Sequence, residues 1–163
     1  YNFDINFLSY GSASSSHRGS YFTAGTLKAR RVTLVKPVAY LRYLVSEASA
    51  MNLFIVRNGQ LITPSIDQDI LEGITRDSIL ILGRELGIPT IERPVDKSEL
   101  MIADEIFLCG TTAQVVPVAS VENYVLSAQR PITQQLRQAL SAIARGKNPK
   151  YDSWLTRVEL PKK

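Results

Sequence analysis

Asn58-Gly59 separates two short apolar runs, Leu53-Phe54-Ile55-Val56 and Gln60-Leu61-Ile62-Thr63. Few dipeptides restrict a chain more. Both positions tolerate a positive φ, so the pair predicts a two-residue hairpin turn whose twist matches that of its flanking strands. Directly downstream the apolar period changes from two to 3.6. Thr75, Ile79, Leu82 and Leu86 share one face of a helix that begins within Ile70-Leu71-Glu72-Gly73-Ile74-Thr75-Arg76-Asp77 and runs to Leu86. Gly87 ends this helix and Pro89 prevents its return.

The same reading continues to the C-terminal side. Residues 67–70 form a short connection into the helix, and residues 90–93 a short strand. Residues 96–103 form a helix in which Glu99, three residues after Asp96, makes a capping box. Residues 105–109 form a buried strand, 110–114 a small-residue turn and 115–121 a further strand, where Pro117 implies an edge or a bulge. Pro131 opens a helix with Ile132, Leu136, Leu140 and Ile143 on one face, and Gly146 closes it. Strands and helices are mixed without simple βαβ alternation, which predicts an α+β fold. Residues 1–44 read less clearly. Residues 3–8 alternate like a strand, residues 10–20 have a Ser- and Gly-rich loop composition, and residues 31–35 suit another strand. The expectation is that this part is incomplete, or joins segments that are not neighbours in a parent protein.

Composition narrows the function classes. A chain of 163 residues, 45% hydrophobic and 21% charged, has the balance of a globular protein. No apolar run is long enough to span a bilayer, and the opening Tyr1-Asn2-Phe3-Asp4 does not resemble a signal peptide, so no membrane association is expected. The net charge of +4 is spread thinly apart from Lys28, Arg30 and Arg31 and the Lys162-Lys163 tail. That argues against nucleic acid and suits a small anionic ligand. With one histidine, His17, and one cysteine, Cys109, neither a zinc site nor an internal disulfide is expected. A lone cysteine fits a reducing compartment, and a cytoplasmic location is expected. His17 reads as polar surface in a Ser-rich loop. No acid stands in a triad relation to Ser14-Ser15-Ser16-His17. Cys109 ends an apolar run and reads as a small buried hydrophobe.

Three small-residue turns are either ordinary turns or the places that carry the chemistry: Ser46-Glu47-Ala48-Ser49-Ala50, Glu72-Gly73-Ile74-Thr75 and Gly110-Thr111-Thr112-Ala113. The first turn of a helix presents unpaired N–H groups and a partial positive charge. Gly73 followed by Ile74 and Thr75 is therefore either a seat for a phosphate or only a bend with a capping threonine. Two such turns can hold one phosphate from two sides. Glu47 can set a carboxylate against a basic ring nitrogen. Lys36, just before Pro37, is either a solvated charge or, if buried and deprotonated, a Schiff-base amine.

Three stretches in order carry a family resemblance. Val45-Ser46-Glu47-Ala48-Ser49-Ala50-Met51-Asn52-Leu53-Phe54 is the first, residues 70–77 the second, and residues 99–118, with Ala103-Asp104-Glu105 and Gly110-Thr111-Thr112-Ala113, the third. Together, over roughly residues 45–160, they resemble the branched-chain amino acid aminotransferases, fold-type IV enzymes that use pyridoxal 5'-phosphate. Tyr10-Gly11 with Arg18-Gly19 is faintly similar to an N-terminal stretch of that family. The chain departs from the pattern at Ala48, Met51 and Thr112. It also departs around Lys36, which Pro37 follows directly and which only residues 37–46 separate from Glu47.

The resemblance implies a mixed sheet or pseudo-barrel with helices. Residues 45–160 would be the large cofactor-binding domain, and residues 1–44 the remnant of an incomplete small domain with its linker. It implies transfer of the amino group of leucine, isoleucine or valine to 2-oxoglutarate by a homodimer or higher homo-oligomer. Glu47 would pair with the pyridine nitrogen, and Leu71 would pack on the ring. Gly73, Ile74, Thr75 and Thr111 would hold the phosphate. Thr112, Ala113 and Tyr10 would face the substrate, and Lys36 would be the catalytic amine. Two alternatives stay open. One is a relative with the same phosphate cup, a D-amino acid aminotransferase or aminodeoxychorismate lyase. The other is a non-catalytic fragment or pseudoenzyme.

Overall fold

The structure, a computed structural model, describes residues 5–7, 35–38 and 42–158, with side chains over residues 44–158. Its centre is a seven-stranded mixed sheet. The strands are β1 (Ile5–Phe7), β4 (Asn52–Arg57), β5 (Gln60–Thr63), β6 (Thr90–Glu92), β7 (Glu105–Gly110), β8 (Gln114–Val121) and β9 (Tyr124–Val125). They follow the order β1-β8-β7-β4-β5-β6, with β9 pairing β8. A separate two-stranded ribbon joins β2 (Val35–Val38) to β3 (Arg42–Val45).

The predicted hairpin is present. Asn58 and Gly59 take φ of 50° and 73°, and Arg57 pairs with Gln60 across the turn. Strand β4 is buried along nearly its whole length because both of its faces are covered. Leu53 and Ile55 point into one apolar layer with Ile62, Leu100, Ile106 and Leu108. Phe54 and Val56 point into the other with Leu61, Ile79, Leu82, Phe107 and Leu136. Phe54 stacks on its cross-strand partner Phe107 at 5.0 Å between ring centres. Burying each such side chain contributes about 1.5–3 kcal/mol, so this pair and its neighbours anchor the sheet.

Two helices cover the second layer, α1 (Ile74–Glu85) and α2 (Pro131–Ala144). Helix α1 crosses from β5 to the parallel strand β6, so one βαβ unit lies within the α+β arrangement. It starts four residues after Ile70 and stops at Glu85, so Leu86 caps it and is 38% exposed instead of joining the core face. Helix α2 keeps the expected face, with Leu136 and Ile143 buried and Ile132 and Leu140 packed beside them. The expected helix over 96–103 is a shorter 3-10 turn, Lys97–Met101, whose start carries the capping interaction from Glu99. Another 3-10 turn, Ile66–Gln68, overlaps the start of the connection expected over 67–70. A third, Pro149–Trp154, has no counterpart in the sequence reading. It places buried Tyr151 against the α1–α2 layer, with its hydroxyl donating to Glu85.

Strand β8 explains Pro117. The residue pairs with Phe107 on one side and lies beyond Val118–Val121, the part that faces β1. A register shift between Asn6 and Phe7 marks a bulge there. No helix among the described residues is long and apolar enough to cross a membrane.

Candidate active site

The first two small-residue turns and the end of β7 meet at one end of the sheet. Strand β3 delivers the chain to Glu47, held in place by the Val45 N–H donating to the Val95 carbonyl at 2.8 Å. A tight turn follows, with Ala48 and Met51 bonded to each other, and the chain enters β4 at Asn52. Asn52 pairs with Cys109 near the end of β7. Gly110 lies against Ala50 and Met51, so the Thr111-Thr112-Ala113 turn leaves the sheet beside the Glu47 turn.

Glu47 is half-buried, and its Oε2 accepts two hydrogen bonds. One comes from Asn52 Nδ2 at 2.7 Å and one from the Leu71 N–H at 3.0 Å. The same Asn52 nitrogen donates to the Leu71 carbonyl at 2.8 Å. The carboxylate is therefore tied to the loop that feeds α1. That loop runs Leu71-Glu72-Gly73, with the Gly73 N–H bonded to the Leu71 carbonyl at 2.9 Å. Gly73 is the N-cap and supplies no side chain to the helix. A Cβ at this position would collide with Asn52 Oδ1.

Among the described residues the start of α1 is open. No described residue accepts from the N–H groups of Ile74 or Thr75, and no side chain caps the helix. Leu71 is 70% exposed and Ile74 85%, so apolar surface lines the approach. The partial positive charge of a helix start attracts an anion into that space. One turn deeper, buried Arg76 donates to the Pro64 carbonyl at 3.0 Å and to Glu92 at 2.7 Å, which fixes the base of this end of α1. Thr111 and Thr112 are exposed and Ala113 half-buried.

The structure thus brings Glu47, Leu71, Gly73, Ile74 and Thr75 together, with residues 111–113 at the same end of the sheet. Lys36 lies in β2 opposite Leu44, three residues before Glu47, and its side chain is outside the described residues. Tyr10, the loop over 10–20 and most of the strand expected over 31–35 also lie outside them. Cys109 points away from the site into the α1–α2 layer, where burial pushes its thiol up to about 12. Sequence reasoning gave Asn52 no role. The signal was present, because Asn52 stands within the first motif, five residues after Glu47. Among the described residues no group of His, Cys, Asp and Glu could hold a metal ion.

The chain is similar to known proteins over most of its described length. The family described as amino-transferase class IV matches residues 24–121. A probable branched-chain-amino-acid aminotransferase of Synechocystis sp. is 57% identical over 116 residues, covering 71% of this chain and 38% of that protein. Another probable branched-chain-amino-acid aminotransferase, from Aquifex aeolicus, is 45% identical over 117 residues, covering 70% and 38%. The crystal structure of branched-chain amino acid aminotransferase from Thermobaculum terrenum, in its PLP-form, superimposes with a TM-score of 0.68 at 45% identity. It covers 69% of this chain and 38% of that one. The chain spans less than two fifths of the length of these relatives.

Proposed function

This chain belongs to the amino-transferase class IV family, and on that premise we propose that residues 45–160 form the cofactor-binding part of a branched-chain amino acid transaminase. The observation that carries the reading is a carboxylate, Glu47, held by two hydrogen bonds beside a helix start whose first N–H groups have no described acceptor. Pyridoxal 5'-phosphate fits these donors by chemistry. Its phosphate dianion matches the open N–H groups of Ile74 and Thr75 with Thr111 on the other side. Its basic ring nitrogen matches the carboxylate of Glu47, and the ring face matches exposed Leu71.

When bound, the cofactor supplies an electron sink for the pair left at the amino acid's Cα. The chain's own residues do the rest. Glu47 holds a proton at the ring nitrogen. Gly73, Ile74 and Thr75 fix the phosphate and hence the ring's position. Lys36 supplies the amine that carries the Cα proton. Thr112, Ala113 and Tyr10 orient the substrate carboxylate and side chain. The substrates are leucine, isoleucine or valine with 2-oxoglutarate as acceptor. We place the enzyme in the cytoplasm, in keeping with one buried, unpaired cysteine among the described residues. We assign it a homodimer or higher homo-oligomer, in keeping with the exposed neighbours Tyr124 and Val125.

The test is direct. The chain is loaded with pyridoxal 5'-phosphate, dialysed, and assayed for amino transfer from leucine to 2-oxoglutarate. A retained visible absorbance band with turnover is expected. Complete loss of the band on dialysis would overturn the reading.

A further inference from the structure

One side chain ties Glu47 to the loop that feeds α1, and the proposed chemistry has not used it. Asn52 is 5% exposed at the first position of β4. Its Nδ2 donates both to Glu47 Oε2 and to the Leu71 carbonyl, while Leu71 returns its own N–H to the same carboxylate oxygen. The result is a closed triangle of an amide, a carboxylate and a peptide unit. Both described bonds to Glu47 fall on Oε2, so the triangle fixes which oxygen is engaged and which way the other faces. The third edge fixes the loop from which α1 starts. On the amide's other side, Oδ1 occupies the space that a Cβ of residue 73 would need.

We propose that Asn52 is a positioning residue that sets the orientation of Glu47 and the placement of the α1 entry loop with one nitrogen, and that residue 73 is glycine because Asn52 stands there. The inference rests on the functional reading above only for its catalytic consequence. A single buried group then coordinates the two ends of one ligand, the ring end through Glu47 and the phosphate end through the α1 start. A displaced amide disturbs both ends together. Glycine at 73 need not be explained by backbone freedom, since its φ of −71° is open to any residue. Space is what that position lacks.

The experiment uses Asn52→Asp, Asn52→Ala, Gly73→Ala and the Asn52→Ala/Gly73→Ala double variant of the full chain. Asn52→Asp keeps the size of the side chain, removes its donor and sets a second carboxylate against Glu47, whereas Asn52→Ala removes the amide without adding charge. In the cofactor-free chain, the Leu71 amide is followed by hydrogen exchange and NMR. Each single variant is expected to speed its exchange, and the double variant to exchange no faster than the worse single. With pyridoxal 5'-phosphate added, each single variant is expected to shift the pH dependence of the cofactor's visible band. Each should also lower kcat by about a hundredfold while KM for leucine stays unchanged. Unaltered Leu71 exchange in Asn52→Asp and Asn52→Ala overturns the proposal, as does a double variant whose losses simply add. Failure of the wild-type chain to hold the cofactor overturns the functional reading alone. The Leu71 amide still decides the role of Asn52.

Discussion

The two long helices begin in opposite ways. Helix α2 starts at Pro131 without a side-chain N-cap, yet its first N–H groups are filled from another element. Glu105, 3% exposed at the start of β7, accepts from the Ile132 N–H at 3.0 Å and the Thr133 N–H at 2.7 Å, one to each carboxylate oxygen. Helix α1 also lacks a side-chain cap, and the carboxylate of Glu47 binds the loop before the helix rather than the helix itself. A glutamate and a helix start occur at both places. At one they satisfy each other and are sealed in the core. At the other they stand side by side, half-exposed, with their bonding capacity directed outward. The difference separates a terminus that the described residues fill from one that they leave to water or a solute, which is where the proposed phosphate seat falls.

The sharpest way to break this comparison is to exchange charge for neutrality at the open end. Glu47→Gln keeps the shape and removes the charge proposed to face the ring nitrogen. Its kcat is expected to fall by about a hundredfold to a thousandfold while the cofactor remains bound through its phosphate. Steady-state kinetics at saturating cofactor check this, and an unchanged turnover would return Glu47 to an ordinary turn residue. At the sealed end the expected loss is of stability. Glu105→Ala strips the acceptor from two buried N–H groups and should cost about 2–3 kcal/mol, read as a lower urea midpoint. Turnover per folded molecule should change little. If the two variants showed the same phenotype, the distinction between the two termini would collapse.

Thr75→Ala gives a smaller effect. Loss of its hydroxyl should weaken cofactor binding by about 1–3 kcal/mol in an equilibrium titration, without altering the unfolding midpoint of the cofactor-free chain. A third carboxylate supplies the mildest test. Glu99 accepts from the Asp96 N–H at the start of the 3-10 turn and pairs with Arg93 through both oxygens. The Arg93 bonds hold its carboxyl below the usual value of 4.5. Its contribution to stability is therefore complete above pH 4.5 and fades as pH falls through that value and through the lowered native one. Unfolding midpoints between pH 7 and pH 3 should show this decline, and Glu99→Gln should flatten it.

These contrasts also mark what the sequence could reveal. Asn58-Gly59, Gly87 with Pro89, Pro131 and Gly146 act on their own neighbours, so each terminus they set was legible. The capping box of Asp96 and Glu99 is equally local, and it was read, although the segment is too short for an α-helix. Leu86 was misassigned because periodicity does not register where a helix stops. Glu105 serves α2 from 27 and 28 residues away, and Asn52 reaches Leu71 across 19. No spacing rule announces such partners. Arg76 falls in the same class, since a buried guanidinium over Pro64 and Glu92 exists only once β5, α1 and β6 are assembled. The small-residue turns were visible as composition. Their convergence required the pairing of Asn52 with Cys109, which brings the end of β7 to the start of β4.

Because no described residue fills the start of α1, stability there depends on what is dissolved around the protein. A capped helix holds its terminal contribution whatever the medium contains, as α2 does. An open one does not, and any anion that binds the folded chain there and not the unfolded chain draws the equilibrium toward the fold. By linkage, an anion present at one hundred times its dissociation constant adds about 2.7 kcal/mol. The melting temperature then becomes a function of phosphate concentration, and the dose dependence of that shift weighs the occupant against the cost of leaving the terminus empty.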